Sequence, residues 1–473
     1  LRRLKRLKMI SPAVVATLGC AIITGWLVFS TPVHGYGNNG SFDWLLATNG
    51  LYWLKPSNHG GVTSQLGIMK YHNPLYLSHL TSQDLAIQLA IWFNRVFYSQ
   101  RYFNLEFLGA VYLVLYVGSI FLFCRGLLGQ RRRLRDYCLA GLVVIVLADT
   151  AFTLYFNSFY PEALAYILMI AVVGFCLYYL RYKTGNKWRM VFFTLLAALL
   201  LLTQESTSLL TLSLILMGVT FLTRSSQSMT VVVIIGLLMV GGFSANNLTR
   251  QNQAANKFQA LSQGILLNQR PERAVKTANI EPQFSLLRGQ AYFPNAFAAS
   301  LPTDTLIQHR VMNQYDLPWL VMAYARDQQQ FETLLDASAT NLTLIKRQQV
   351  ATVASGSTAH RQSLTTSFML FSQSLATFFP RKYTFDCLMA GIVISVYLID
   401  IWLRRRHHHP MGRGWLVIGL MTAVILVPVM SLFLYGMVDL ASHLLMVVLS
   451  LSLGGLVLAA DLMNHRLWWR WDR

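Results

Sequence analysis

Charge is scarce in this sequence. Asp, Glu, Lys and Arg fill 12% of its 473 positions, about half of the roughly 25% that a soluble domain carries. That shortage excludes a disordered chain, a coiled coil and an ordinary soluble enzyme. Acid is scarcer than base, with 19 Asp+Glu against 39 Lys+Arg. Cysteine pairs are missing. Cys20, Cys124, Cys138, Cys176 and Cys387 form no CxxC spacing, and each sits in or beside an apolar run. Zinc and disulfide frameworks are therefore not expected, and free thiols in a membrane are. Internal repeats, heptad runs, low-complexity tails and nucleotide-binding motifs are also lacking. What is present is apolar surface, 54% of residues, with a mean hydropathy of +0.44. This composition predicts an all-α polytopic membrane protein.

About 20 apolar residues are needed to cross the hydrocarbon core. Ten segments meet or approach that length: 9–29, 105–124, 137–156, 163–180, 190–204, 207–223, 229–246, 384–403, 414–434 and 440–460. The fifth and sixth are short, and Thr203-Gln204-Glu205-Ser206-Thr207 between them reads as a surface turn. About ten transmembrane helices are thus expected. With ten crossings, both termini and the loops 125–136, 181–189, 224–228 and 404–413 fall on one side. These short segments hold about 22 of the 39 basic residues and very few acids. The positive-inside rule makes that side cytoplasmic, and an odd number of crossings would misplace a basic loop. The N-terminal Arg2-Arg3-Leu4-Lys5-Arg6 reads as a cytoplasmic anchor, since the apolar run after it is long and no cleavage site is obvious. The positive excess is then topology and lipid-headgroup contact, so nucleic acid is not an expected partner. The triplet His407-His408-His409 reads as part of a solvated basic loop rather than a metal site. Three units result. Residues 1–246 form an N-terminal transmembrane module of about seven helices, including a first outer loop at 30–104. Residues 247–383 form a small, mainly helical extracytoplasmic domain. Residues 384–473 form a C-terminal module of about three helices. The whole chain is expected to be integral to the plasma membrane.

Carboxylates in or against apolar runs are expensive, and so they are functional candidates. Asp149, Glu162, Glu205 and Asp439 all lie toward the outer ends of their helices. A transporter would place such groups near the midplane; here they form one outer layer. The first outer loop opens His34-Gly35-Tyr36-Gly37-Asn38-Asn39-Gly40-Ser41-Phe42-Asp43-Trp44. Its glycines permit close backbone approach and positive φ angles. Asp43 follows them, near the membrane surface and among aromatics that suit an interface or a sugar face. Gly, Asn, Ser and Asp also favour plain surface turns. Residues 82–98 repeat Leu85, Leu89, Trp92, Phe93 and Val96 at helical spacing, with Thr81 or Ser82 as cap. That helix lies either flat on the outer leaflet or within the outer domain's core. Asn157, Ser158, Tyr160 and Glu162 share a tight outer turn, with Pro161 suited to a first helical position. Asp439 and His443 stand four apart on one helix face. Such a pair does acid–base work or makes a structural hydrogen bond.

The second long segment is rich in Gln and Asn. Residues 250–268 and 318–350 read as helical, around a middle holding Pro271, Pro282, Pro294 and Pro302. It ends at Pro380-Arg381-Lys382-Tyr383 beside the eighth crossing. Arg381 and Lys382, and in second place Arg95, suit a lipid phosphate; snorkelling anchors are the other reading.

An acid-bearing first outer loop, an interfacial helix, many crossings and a later outer domain together resemble the GT-C class of glycosyltransferases. Asn39-Gly40-Ser41-Phe42-Asp43, Asn157-Ser158-Phe159-Tyr160-Pro161-Glu162 and Val438-Asp439-Leu440-Ala441-Ser442-His443 are similar to a Gram-positive group. Its multi-spanning members are assigned to hexose transfer in surface-glycan synthesis. Lys257-Phe258-Gln259-Ala260-Leu261 through Gly264-Ile265-Leu266 resembles that group's outer domain. Two departures stand out. Trp44 follows Asp43 where many GT-C enzymes have adjacent acids, which leaves a second acid unidentified. Tyr-Gly-Met-Val precedes Asp439 where relatives carry a Gly-Asp-Gly type. The resemblance implies a polyprenyl-phosphate monosaccharide donor, used on the outer face, and a glycan or teichoic-acid-like acceptor. Asp43 would be the general base. Asp149, Asn157, Tyr160, Glu162, Glu205, Asp439 and His443 would contact substrate, and Arg95, Arg381 and Lys382 the lipid phosphate. No cofactor or metal is expected. The rival classes are a polymerase or ligase taking polyprenyl-diphosphate-linked glycans, a lipid or glycan transporter, and a non-catalytic assembly partner.

Overall fold

The computed structural model describes residues 10–54, 61–71, 81–128, 133–182, 188–221, 227–247, 250–267, 280–292, 302, 304–312, 315, 317–343, 366–406 and 412–467. The N-terminal basic run at 2–6 and the triplet at 407–409 lie outside them. The first apolar run becomes α1 (Pro12–Phe29), started by Ser11, whose side chain accepts from the Val14 amide, and by Pro12 at the first helical position. In the first long loop come α2 (Phe42–Thr48) and α3 (Ser82–Phe97). Then follow α4 (Glu106–Leu127), α5 (Leu134–Leu147), α6 (Thr150–Thr153), α7 (Glu162–Tyr182), α8 (Trp188–Leu201), α9 (Thr211–Gly218) and α10 (Gln227–Asn246). The second long segment contains α11 (Arg250–Ser262), α12 (Leu317–Arg326), α13 (Gln328–Leu342) and α14 (Leu370–Phe378). The chain closes with α15 (Tyr383–Arg406), α16 (Gly412–Tyr435) and α17 (Leu440–Met463).

All ten apolar runs are helical, but they are not equal. Among the described residues six helices are long and apolar enough to cross a membrane: α1, α4, α7, α15, α16 and α17. The third expected span is broken. α5 and the turn Thr150–Asn157 meet at a bend of 48° and make a seventh crossing only if taken together. The break is built by Asp149, which caps α6 through the Ala151 amide. It leaves the Leu147 carbonyl at a helix end inside the bundle. The hydroxyls of Tyr116 and Tyr166 both donate to it at 2.6 Å, as a low-dielectric interior requires. The other three runs are shorter: α8, the stretch Glu205–Phe221 and the Thr230–Asn246 part of α10. Fourteen residues of α8 span about 21 Å, against about 30 Å of hydrocarbon. Among the described residues, length and composition thus support six or seven long spans, and the three shorter runs are what separate that count from ten.

The centre of the bundle is α7, which packs on α4. Every residue from Glu162 to Leu177 is buried; a helix apolar on all sides belongs inside. α1 also lies on α4, and α16 joins α9, α15 and α17. The outer faces stay apolar and exposed, as with Ile22 and Trp26 on α1 and Leu388 and Ile392 on α15.

The fold is not purely helical. β1 (Leu51–Tyr52), β2 (Gln65–Ile68) and β3 (Tyr102–Asn104) form a three-stranded antiparallel sheet, in which Leu51 faces Ile68 and Leu66 faces Phe103. Strands of two to four residues are too short to show an alternating pattern. On α3 the expected apolar stripe faces outward, and the buried face mixes small and aliphatic residues with Gln83, Asp84 and Asn94. Leu85, Leu89, Trp92, Val96 and Phe97 are exposed, while Ala86, Ile87, Ala90 and Ile91 are buried.

Candidate functional site

The first loop is held against the bundle by backbone contacts that only certain residues allow. A Cβ at Gly35 would run into the Asn157 carbonyl, and Gly40 sits at φ 101°. Tyr160 secures the middle: its hydroxyl donates to the Gly37 carbonyl at 2.9 Å and accepts from the Asn39 amide at 3.2 Å. Its ring meets Phe42 edge-on at 4.6 Å. α2 therefore starts beside the turn that leads into α7, so Asp43 and Glu162 lie at the same end of the molecule. Asp43 is exposed in the first turn of α2, and one carboxylate oxygen accepts from the Trp53 indole at 2.6 Å.

α3 is fixed beside α2 by Asp84. Its carboxylate closes a capping box with Thr81 and accepts from the Asn49 side chain at 2.7 Å. Gln83 donates to the Phe159 carbonyl, and Ser82 donates from its amide to the Leu202 carbonyl. The last contact brings in the turn after α8.

These elements enclose a cavity of about 170 Å³. Trp44, Leu45 and Leu202 give it apolar wall. Thr48, Thr81, Asp84, Gln204, Glu205, Ser244, Asn247 and Asn252 give it polar groups. Of its two carboxylates, Asp84 is taken up by Thr81 and Asn49, and Glu205 is the less engaged. Asn256 on α11 donates to Oε1 at 3.0 Å, while Oε2 is buried with no hydrogen-bond partner among the described residues. Burial raises the Glu205 carboxyl from 4.5 to about 7, against the opposing pull of the Asn256 bond. A cavity with one indole, two carboxylates and several amides and hydroxyls matches a polyhydroxylated ring: apolar on its faces, hydrogen-bonding at its rim. It is small beside the roughly 300–1,000 Å³ of drug-sized sites, which suits one ring rather than a chain of them.

Of the residues singled out in the sequence, Glu205 lines this cavity and Asp43 is next to it in sequence through Trp44. The others are elsewhere. Asp149 is buried as a cap: beyond Ala151 it accepts from the Ser372 amide at 2.9 Å and from the Ser372 hydroxyl, which ties α6 to α14. Asn157 donates to the Val28 carbonyl at 2.8 Å and so anchors the end of α1. Glu162 is fully buried and hydrogen-bonded by Ser442 of α17. Asp439 is exposed at φ 42° as the N-cap position of α17. The His443 ring stacks on Tyr435 at 4.3 Å. Between Asp439 and His443 a backbone bond links the His443 amide to the Asp439 carbonyl at 3.4 Å.

The three cations do not line the cavity. Lys382 is ion-paired with Asp336 of α13 at 2.6 Å, a carboxylate that also accepts from the Tyr383 amide. Arg381 donates to the Ala376 carbonyl. Arg95 is exposed near the end of α3. Sequence reasoning missed Trp44, Asp84, Gln204, Ser244, Asn247 and Asn252 as cavity residues. Gln204 adjoins Glu205 in the polar interruption, which is the one signal that pointed here. His360-Arg361, a basic pair one amphipathic stretch before Arg381 and open to the same two readings, lies outside the described residues.

A family model described as the YfdI N-terminal transmembrane domain matches residues 1–473. No curated protein matches the sequence significantly. Among solved structures, the chain is similar to the Archaeoglobus fulgidus oligosaccharyltransferase tethered through a disulfide bond to an acceptor peptide containing the NVT sequon. The identity is 12%, over 96% of this chain and 50% of that one, with a TM-score of 0.40. It is similar also to oligosaccharyltransferase AglB from the same archaeon in complex with an inhibitory peptide and a dolichol-phosphate, at 13% identity over 96% and 51%, with a TM-score of 0.39. The chain spans about half the length of these proteins. A likeness of that degree carries no argument about chemistry.

Proposed function

The chain belongs to the YfdI N-terminal transmembrane domain family and is an integral, multi-pass membrane protein, and from that premise we propose that it is a GT-C-type glycosyltransferase. In this reading it moves one sugar, a hexose, from a polyprenyl-phosphate donor to a cell-surface glycan or teichoic-acid-like acceptor at the outer face of the plasma membrane. The observation that carries the reading is the small cavity under α2, with an indole on its wall and the unpartnered Oε2 of Glu205 within it. The resemblance of the Asp43 loop to GT-C enzymes supports it. So does the exposed apolar face of α3, which would rest on the outer leaflet and bring the cavity to headgroup height.

The step asked of these residues is modest. Asp43 takes the proton from an acceptor hydroxyl, held for this by the Trp53 indole. The acceptor oxygen bonds to the anomeric carbon as that carbon's bond to the phosphate oxygen breaks. The lipid phosphate leaves with the electron pair. Glu205 and Trp44 hold the sugar. Asp149, Asn157, Tyr160 and Glu162 keep the loop and helix ends in place around it. Arg95 and Arg381, both exposed, are the cations open to the departing phosphate; Lys382 reaches it only by leaving Asp336. Ten crossings, with 190–204, 207–223 and 229–246 as the short ones, keep this end, with the Glu205 turn, outside and the basic loops inside.

Membranes carrying the protein are to be given a labelled polyprenyl-phosphate hexose. Asp43→Ala should lower transfer by roughly 10²–10⁴-fold, the usual contribution of a general base. Equal transfer by wild type and Asp43→Ala would remove the catalytic assignment. Turnover only with a diphosphate-linked oligosaccharide would favour a polymerase or ligase instead.

A further inference from the structure

A second cavity, of about 330 Å³, lies at the opposite end of the bundle. Arg181 near the end of α7, Arg404 near the end of α15, Arg413 at the start of α16 and Arg466 just after α17 all line it, together with Asp400 and Asp461. Each carboxylate is already engaged. Asp461 is 1% exposed; it is bonded by Arg413, accepts from the Tyr397 hydroxyl at 2.9 Å and has Arg466 at 3.6 Å. Asp400 is taken by Arg404 at 2.6 Å. Arg181 donates to the carbonyls of Arg125 and Leu128. Four guanidiniums thus face two carboxylates. Behind them Arg125 and Asp136 act on Arg181 with one charge of each sign, so the excess stays positive by two.

Such an excess is costly in a half-buried cavity. Arg404, Arg413 and Arg466 have side chains 22–31% exposed, so they are partly open to an incoming group. Arg466 registers the strain: burial first, and then its neighbour Arg413, push its guanidinium down to about 10. An anion would relieve both effects. Guanidinium forks converging from four helix ends fit the tetrahedral oxygens of a phosphate better than a flat carboxylate or a chloride. Basic pockets between transmembrane helix ends are also where lipid headgroups are held.

We propose that this cavity is a phosphate-binding site on the face opposite the sugar cavity, filled either by an inner-leaflet lipid headgroup or by a free phosphate. The site is independent of the glycosyltransferase reading. It lies at the other end of the molecule, and its test involves no sugar.

The test uses the full chain in detergent. Native mass spectrometry with phosphatidylglycerol or with diacylglycerol of the same acyl chains reads the lipid arm. Melting in inorganic phosphate, against chloride at equal ionic strength, reads the free-anion arm. Retention of phosphatidylglycerol over diacylglycerol identifies a headgroup; a melting rise in phosphate alone identifies the free anion. Arg466→Gln leaves Arg413 on Asp461 and should weaken whichever binding is seen roughly tenfold, the worth of one charge-assisted bond. Arg466→Lys should lose less, and it replaces Arg466→Gln if that variant does not fold. Arg406→Gln, whose guanidinium stacks on Trp402 outside the cavity, should change nothing. Absence of any preference for phosphate in both arms, or undiminished binding by Arg466→Gln, overturns the proposal.

Discussion

Glu205 is the residue on which the outer cavity turns, and its burial makes a pH-dependent claim. Its carboxyl titrates at about 7 in the folded chain against 4.5 for the ordinary group. The folded state therefore holds more protons than the unfolded one between those values. Stability falls as pH rises from about 4.5 to 7, then levels. Glu205→Gln keeps an oxygen for Asn256 but cannot ionise. It should match the wild type near pH 4.5 and melt higher above pH 7, with an upper limit of about 3 kcal/mol. Parallel melting curves for the two proteins from pH 4.5 to 8 would place the unpaired oxygen in water instead. Glu205 was legible because a carboxylate beside an apolar run is costly and conspicuous in any sequence. Asp84 was not. Its value comes from Asn49, 35 positions away, and from a capping box that places it beside the turn after α8. Only the folded chain reveals such a meeting.

At the scale of elements, the ten apolar runs could be read because length and hydropathy are local properties. The kink between α5 and α6 could not, because the run 137–156 looks continuous until one asks what Asp149 bonds to. Its carboxylate receives the Ala151 amide and both donors of Ser372, and so acts as cap and as inter-helix tie together. Asp149→Ala should therefore destabilise the protein by about 2–4 kcal/mol, the sum of a lost cap and buried bonds to a charge. Ser372→Ala should cost a part of that. Thermal melting of both variants, read beside sugar transfer, separates structure from contact. Transfer lost with an unchanged melting temperature would return Asp149 to the substrate. The small sheet escaped for a different reason: Tyr52 covers Gly67 across a two-residue strand, and no periodicity exists at that length.

The whole molecule has two ends of opposite character. One gathers acids, glycines and aromatics, and the other gathers arginines. Which end faces outward depends on the short helices. If the runs 190–204, 207–223 and 229–246 all cross, six crossings separate Tyr98 from Arg288, and both lie outside. If none of the three crosses, only α4, the broken α5 span and α7 intervene, and Arg288 falls on the side opposite Tyr98. Both residues are exposed, as is Arg406 at the end of α15. Single cysteines at these positions, in a chain whose five native cysteines are replaced, can be probed in intact cells with an impermeant maleimide. Ten crossings predict labelling at 98 and 288 and protection at 406 until the membrane is opened. Short helices of about 21–26 Å can cross where the bilayer thins or loops dip to meet them. In this fold the Glu205 turn and the middle of α11 already meet below α2, through Glu205 and Asn256. Protection at 288 with labelling at 98 would separate the two long loops across the bilayer, and the shared cavity could then not stand at one membrane face.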